Sequence, residues 1–471
     1  MKGGGDDSQA YSATRAHLAT DPLELAPLRS PVRAVVPVPG SKSLSNRHLV
    51  LAALASRSTR LHGLLSCDDC DRLLAAMANI GVTYHVEGST VVLDAQPCDV
   101  HAHVHLGDGG TPTRFMIAFA AARQRGITDI DGSSRMRERP VAEGVEFLRA
   151  LGARIEYLEE TGRLPVRVFG GAISGGTLTV GRTASSQFIS AVMLIAPRLR
   201  GGVRIRFTEE PTSASYIALS LAALAAAGVH AEVSYRPTPV DAQASGLAEI
   251  FIPEQDVRGG DVVIEPDASS AVYPAALAAM SGGSVLVPRL PRRSVQPDAL
   301  FFDDLALRGA RVEEVDGGVR ITGRGVLRGI DSNFAQAPDA AVMAMVLAAC
   351  CDRPSTLTGL GTLRVKESDR IAAVATGLGL LGGRVETGAD WVRVFPLGDT
   401  RADAAAGQKV ARSVVIDTVQ DHRIAMAFAV LGLVRGGIAI ANPRCVAKSW
   451  PEFWQVLDLL RKPASGENGR S

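Results

Sequence analysis

Five glycines mark a long internal period: Gly81, Gly152, Gly228, Gly309 and Gly382 each close an amphipathic pattern and precede a short strand-like run. Their intervals are 71, 76, 81 and 73 residues. Glycine suits the left-handed position that ends a helix. A second series interleaves with the first. Ala-rich apolar helices are entered through small polar or Gly-rich segments near Ser43, Gly110, Ser185, Asp267, Pro338 and Asp421. Each unit therefore holds one buried helix, one amphipathic helix and several short strands. The period is too long for an ordinary solenoid, and six units in 471 residues suit two compact α/β domains of three units each.

A sixth amphipathic helix, around Phe453 to Leu460, ends without its following strand, while Val32–Val38 begins the chain as an orphan strand. The expectation is that this strand completes the last domain. Residues 29–40 and 263–463 then form the domain of units four to six, and residues 41–262 that of units one to three. The chain crosses between them near Gly40 and near residues 260–266, where Gly259-Gly260-Asp261 reads as a turn. Residues 1–28 and 464–471 read as tails.

Composition narrows the function. The 50 basic and 49 acidic residues leave a net charge of +1, which argues against a general binder of nucleic acid or membrane surfaces. An apolar content of 46% can fill large cores. No apolar run reaches the ~18 residues of a membrane span. The glycine-rich, acidic start does not read as a secretory signal, so a cytoplasmic protein is expected. Six cysteines in a chain this long do not read as a disulfide framework, and Cys67 and Cys70 form a lone CxxC without a second pair. Cys350-Cys351 reads as core. His101, His103 and His105 alternate along one strand face, an arrangement that could bind a metal; without a nearby carboxylate or Cys motif they read rather as polar residues near a sheet edge. Gly107-Asp108-Gly109-Gly110-Thr111 lacks the Lys-Ser/Thr of a P-loop but can present backbone N–H groups to an anion.

The chemistry-bearing residues gather at helix entries. They are Lys42 and Arg47; Arg114; Arg135, Arg137 and Arg139; Ser185, Ser186 and Gln187; Lys366 and Arg370; Arg423; and Lys448. A helix start attracts anions because its first N–H groups are unpaired and the dipole is positive there. Arginine adds paired hydrogen bonds to phosphate or carboxylate. If entries from both domains face one cleft, it would suit two phosphates and a carboxylate. Leu363–Arg370 is the densest of these segments, with three cations and two carboxylates. Asp339, at a helix start, and Glu367, between Lys366 and Arg370, are the candidates for proton transfer. Asp369 reads as a helix-start carboxylate holding a neighbouring cation.

Five segments resemble the signatures of the 5-enolpyruvylshikimate-3-phosphate synthase family, also called 3-phosphoshikimate 1-carboxyvinyltransferase. They are Pro39–Arg47, Arg135–Pro140, Ser185–Phe188, Arg364–Arg370 and Asp421-His422-Arg423, in order along the chain. The resemblance implies two similar domains, each of three βαβαββ units around a pseudo-threefold axis, closing over the substrates. It implies transfer of the enolpyruvyl group of phosphoenolpyruvate to the 5-hydroxyl of shikimate 3-phosphate, with release of phosphate. It also implies a monomer, no metal and no organic cofactor.

Site roles carry over by resemblance. Lys42, Ser43, Arg47, Ser185, Ser186, Gln187, Ser213, Tyr216, Asp339 and Lys366 would contact shikimate 3-phosphate. Lys42, Gly110, Arg139, Gln187, Arg370, Arg423 and Lys448 would contact phosphoenolpyruvate. Asp339 would accept the 5-hydroxyl proton with help from Lys42, and Glu367 would protonate the enolpyruvyl methylene. The chain departs from the family pattern at Asp108, Phe115, Ala214 and Thr362. These departures bear on the acceptor, which a paralogue could exchange for a related sugar acid, and on glyphosate sensitivity, for which Gly110 follows the sensitive pattern. The related transferase acting on UDP-N-acetylglucosamine typically carries a reactive Cys in a mobile loop; residues 107–114 contain none. A non-catalytic binding protein on this fold should have lost Asp339, Glu367 or Lys42, and all three are present.

Overall fold

The computed structural model describes residues 20–95, 99–236, 246–398 and 413–461. Residues 1–19 and 464–471 of the expected tails, and Cys98, lie outside the described residues. The chain forms two compact units. The first comprises Pro39–Ala268 with Arg293–Pro297; the second comprises the chain up to Val38, Ser269–Arg292, and the chain from Asp298 onward.

Six Ala-rich helices organise the units: α1 (Lys42–Leu54), α2 (Gly110–Ala122), α3 (Ser186–Ile195), α4 (Ala268–Ser281), α5 (Ala341–Ala348) and α6 (His422–Arg435). Side-chain caps start several of them. Ser41 accepts the Leu44 N–H ahead of α1, Ser185 that of Gln187 ahead of α3, and Asp421 that of Arg423 ahead of α6. Every residue of α5 is buried, as expected for a helix that is apolar all round. The five glycines of the repeat all have positive φ, at 102°, 93°, 73°, 104° and 79° along the chain. A side chain there would meet the strain that keeps most residues out of left-handed conformations.

Among the described residues, five sheets have four strands and one has three. In four of them, the strands before and after a buried helix pair in parallel: His101–His105 with Ile127–Asp131 around α2, Gly176–Val180 with Val203–Phe207 around α3, Ser332–Asn333 with Ser355–Thr358 around α5, and Val414–Ile416 with Ile438–Ile440 around α6. The other two sheets exchange a strand. Gly260–Val263 pairs with Thr59–His62, which follows α1, while Arg33–Val35 pairs with Ser284–Val287, which follows α4. The exchange accounts for the passages at Val38–Pro39 and Ala268–Ser269; the short return of Arg293–Pro297 to the first unit adds two more.

Three expectations are corrected. Residues 20–28 are no tail, because Leu23–Leu25 pairs antiparallel with Ile438–Ile440. That strand supplies the return strand missing from the sixth unit, whereas Arg33–Val35 serves the fourth. Gly260-Asp261 is no turn: the ladder to Thr59 and Arg60 extends it, and the division between units falls at Ala268–Ser269. Arg293–Pro297 stays with the first unit because the Gln296 side chain donates to Glu265 (2.7 Å) and to the Pro266 carbonyl (2.7 Å), and accepts from the Ala268 N–H (3.0 Å).

Candidate active site

The first unit carries one set of predicted residues. Arg47 lies on α1, 2% exposed, with its guanidinium ringed by neutral oxygens. Nε donates to Ser220 (2.9 Å), Nη2 to Ser190 (3.2 Å) and the Tyr216 carbonyl (3.1 Å), and Nη1 to the Ser43 carbonyl (3.0 Å). Its charge lies over the Phe115 ring, 5.5 Å from the centroid. Burial pushes the Arg47 group down to about 10. A buried guanidinium held only by dipoles suits an incoming anion. Lys42, in the first turn of α1, pairs with Asp69 at 3.1 Å.

Gly110 opens α2 with no side-chain cap. A β-carbon there would lie 2.6 and 2.8 Å from the Arg139 guanidinium nitrogens and 2.9 Å from Arg114 Nη1. Only glycine lets the two guanidinium groups approach the backbone this closely. Arg114 Nη1 also donates to Gln187 Oε1 (2.9 Å), and Gln187 Nε2 donates to Thr111 (2.9 Å). Arg114 thus joins Gly110 and Gln187, while Arg139 approaches the same glycine. Arg135 and Arg137 instead form outer ion pairs, with Glu138 (2.5 Å) and with Asp131 (2.5 Å) and Glu159 (3.0 Å). Ser185 caps α3, and Ser186 is buried in its first turn. Ser213 holds φ 52° and ψ 56° ahead of Ala214–Ala226, a left-handed conformation that costs a non-glycine residue about 1–3 kcal/mol. Its carbonyl accepts the Tyr216 N–H at 3.0 Å. The Asp108 carboxylate accepts a hydrogen bond from Ser133.

The second unit carries the other set, and its character is ionic. Arg370, 1% exposed, begins the helix Arg370–Leu380. It donates Nε to Asp421 (2.8 Å), Nη1 to Asp339 (2.8 Å) and Nη2 to Glu367 (2.8 Å). Arg423 Nη2 reaches the other oxygen of Asp339 at 2.9 Å, and Lys448 Nζ the other oxygen of Glu367 at 3.1 Å. Burial alone would push the Asp339 carboxyl up; Arg423, Lys366 and Arg370 outweigh it and hold the group well below the usual carboxylate range. Burial acts to lower Arg370, yet Asp421, Glu367 and Asp339 together raise it above an ordinary arginine. Asp369 caps its helix through the Ala372 N–H (3.0 Å) and pairs with Arg364 (2.8 Å).

Four carboxylates escaped the sequence reading, three within the two sets and one outside them. Asp69 balances Lys42. Asp421, fully buried, accepts from Arg370, from Ser368 (3.1 Å) and from the Arg423 N–H (2.9 Å). Asp298 accepts from Ser269 and from the Ala340 N–H (3.0 Å), next to Asp339 in sequence. Burial first, and then the negative Asp339, push Asp298 up to about 6. The fourth, Asp129, stands beside His101 and His103. Asp421 had a signal in its Asp-His-Arg triplet. The other three are paired across 27, 29 and 26–28 residues, beyond local pattern.

Two α/β units of this topology, with arginines and lysines at buried helix starts and three carboxylates on the Arg370 guanidinium, suit proton-transfer chemistry on anionic small molecules. The sequence profile described as EPSP synthase (3-phosphoshikimate 1-carboxyvinyltransferase) matches residues 28–457. Curated relatives named 3-phosphoshikimate 1-carboxyvinyltransferase agree. That of Photobacterium profundum is 35% identical over 94% of this chain and 99% of its own. That of Laribacter hongkongensis is 37% identical over 93% and 99%. The solved EPSP synthase of Acinetobacter baumannii shares the fold, with a TM-score of 0.73 at 24% identity over 94% of this chain and 98% of its own. The chain belongs to the EPSP synthase family. None of the described helices is long and apolar enough to cross a membrane.

Proposed function

We propose the following division of labour for an enzyme that transfers the enolpyruvyl group of phosphoenolpyruvate to shikimate 3-phosphate, a step of aromatic amino acid biosynthesis through the shikimate pathway. Ser43, Arg47, Ser185, Ser186, Gln187, Ser213, Tyr216 and Lys366 hold shikimate 3-phosphate. Lys42, Gly110, Arg139, Gln187, Arg370, Arg423 and Lys448 hold phosphoenolpyruvate. Asp339, kept ionised, accepts the 5-hydroxyl proton as that oxygen attacks C2, with help from Lys42. Glu367 gives a proton to C3. The tetrahedral adduct then expels phosphate as C3 returns a proton to the Glu367 carboxylate, and the enol double bond is restored. Each well-aimed donor to the departing phosphate contributes about 3–4 kcal/mol in such sites. The protein works as a monomer in the cytoplasm.

The observation that carries this reading is the sharing of Arg370. Its two terminal nitrogens hold Asp339 and Glu367, each at 2.8 Å. One guanidinium thus fixes the spacing of base and acid. The test is phosphate release from phosphoenolpyruvate by the purified chain. Release is expected with shikimate 3-phosphate and without added metal. Release only with another acceptor would overturn the acceptor assignment. Full turnover in Glu367→Ala would overturn the role of that residue.

A further inference from the structure

The edge strand His101–His105 presents His101, His103 and His105 outward while Ala102 and Val104 are buried. The neighbouring strand brings up a carboxylate that the sequence around the histidines lacks. His103 stands directly opposite Asp129 in the parallel register, and Asp129 opposite Arg167 on the next strand. His101 Nε2 lies 3.1 Å and His103 Nδ1 3.3 Å from the same oxygen, Asp129 Oδ2. The three ligand atoms all lie within 4.8 Å of one another. The third histidine turns away, its Nδ1 accepting the Gly107 N–H at 3.3 Å.

These distances match a metal site. A zinc ion with bonds of about 2.0–2.1 Å in tetrahedral geometry separates its ligands by about 3.4 Å. Two of the three separations already have that length. The third, within 4.8 Å, shortens by rotation of side chains that are 44% and 76% exposed. Asp129 itself is 9% exposed and cannot swing away, because Arg167 grips it through Nε (2.7 Å) and Nη2 (2.8 Å). Such an outer partner orients a ligating carboxylate. The guanidinium charge opposes a cation, which sets the affinity below that of a buried structural site.

The geometry points to a surface site for a borderline divalent cation of the zinc, nickel or copper class, formed by His101 Nε2, His103 Nδ1 and Asp129 Oδ2, with solvent completing the shell. Imidazole ligands favour these ions over magnesium or calcium. None of the three residues belongs to the substrate sets, so the site staples the edge strand to its neighbour and leaves transfer chemistry alone.

The test is calorimetric titration of Zn²⁺ into the full chain without substrates, beside His101→Gln, His103→Gln and the double variant. His85→Gln serves as control, since His85 pairs with Glu87 on a separate sheet. One saturable ion per chain is expected, weakened at least about tenfold in each single variant and lost in the double. Free Zn²⁺ at about a hundredfold over Kd should raise the thermal midpoint of the parent chain by about 5 °C, and that of the double variant not at all. Magnesium should not compete. Absence of saturable binding, or equal binding in the double variant, would overturn the assignment. Both substituted side chains are exposed, so loss of binding is separable from loss of fold by circular dichroism.

Discussion

The principal buried arginine of each unit is held in a different way. Arg47 of the first unit is surrounded by two serine hydroxyls and two carbonyls. Arg370 of the second unit is surrounded by three carboxylates. The contrast shows in their acidities: burial lowers Arg47, whereas neighbouring carboxylates raise Arg370. Neutral oxygens orient a cation without cancelling its charge, and so leave it available to a substrate anion. Carboxylates cancel the charge, but the cations in turn keep the carboxylates ionised and fixed. The first arrangement favours recognition, the second proton transfer.

The largest effects should come from the ionic set. Asp339→Ala and Glu367→Gln should each lower kcat by about 10²–10⁴-fold, the usual contribution of a positioned acid or base. Steady-state phosphate release measures this. An effect confined to KM would erase the distinction between the units. Arg47→Ala should act the other way, raising KM for shikimate 3-phosphate about 10- to 100-fold with a smaller change in kcat. That corresponds to about 1.5–3 kcal/mol for hydrogen bonds to a charged group.

Asp298 sharpens the comparison through pH. Its folded value near 6 exceeds the unfolded carboxyl value of about 3.9. The folded chain therefore binds more protons between these values, and its stability falls as pH rises through that window. Asp298→Asn removes this loss. The variant should gain about 1–2 kcal/mol on the parent between pH 4 and pH 7, read from urea melts at both pH values. Asp339 has the opposite sign: its depressed carboxyl supports stability above the unfolded value, and that support fades in strong acid. The smallest effect belongs to Gly110→Ala. The new methyl meets the guanidinium ends of Arg139 and Arg114, and the half-buried Arg139 can give way. Stability should change little, while KM for phosphoenolpyruvate rises severalfold.

Much of the site was legible because its signals are local. Ser41, Ser185, Asp369 and Asp421 cap helices through N–H groups two or three residues away. The motifs that carry Lys42, Gln187, Arg370 and Arg423 are contiguous for the same reason. The histidine strand shows where such reading stops. Its alternation was visible, but Asp129 arrives from the adjacent strand, 26 residues beyond His103.

The sequence by itself determined the six-unit period, the helix starts, the glycines that close helices and the family's signature segments. These depend on backbone propensity and on hydrogen bonds spanning a few residues. Tertiary structure alone decided which strand completes which sheet, sending Leu23–Leu25 to Ile438–Ile440 and exchanging Arg33–Val35 with Gly260–Val263. It also decided which carboxylate holds which cation, as with Asp421 and Arg370, 51 residues apart. The physical reason is that ladder hydrogen bonds and ion pairs carry no label of sequence distance. Any strand of suitable pattern and any carboxylate could serve, and only packing of the buried helices selects among them.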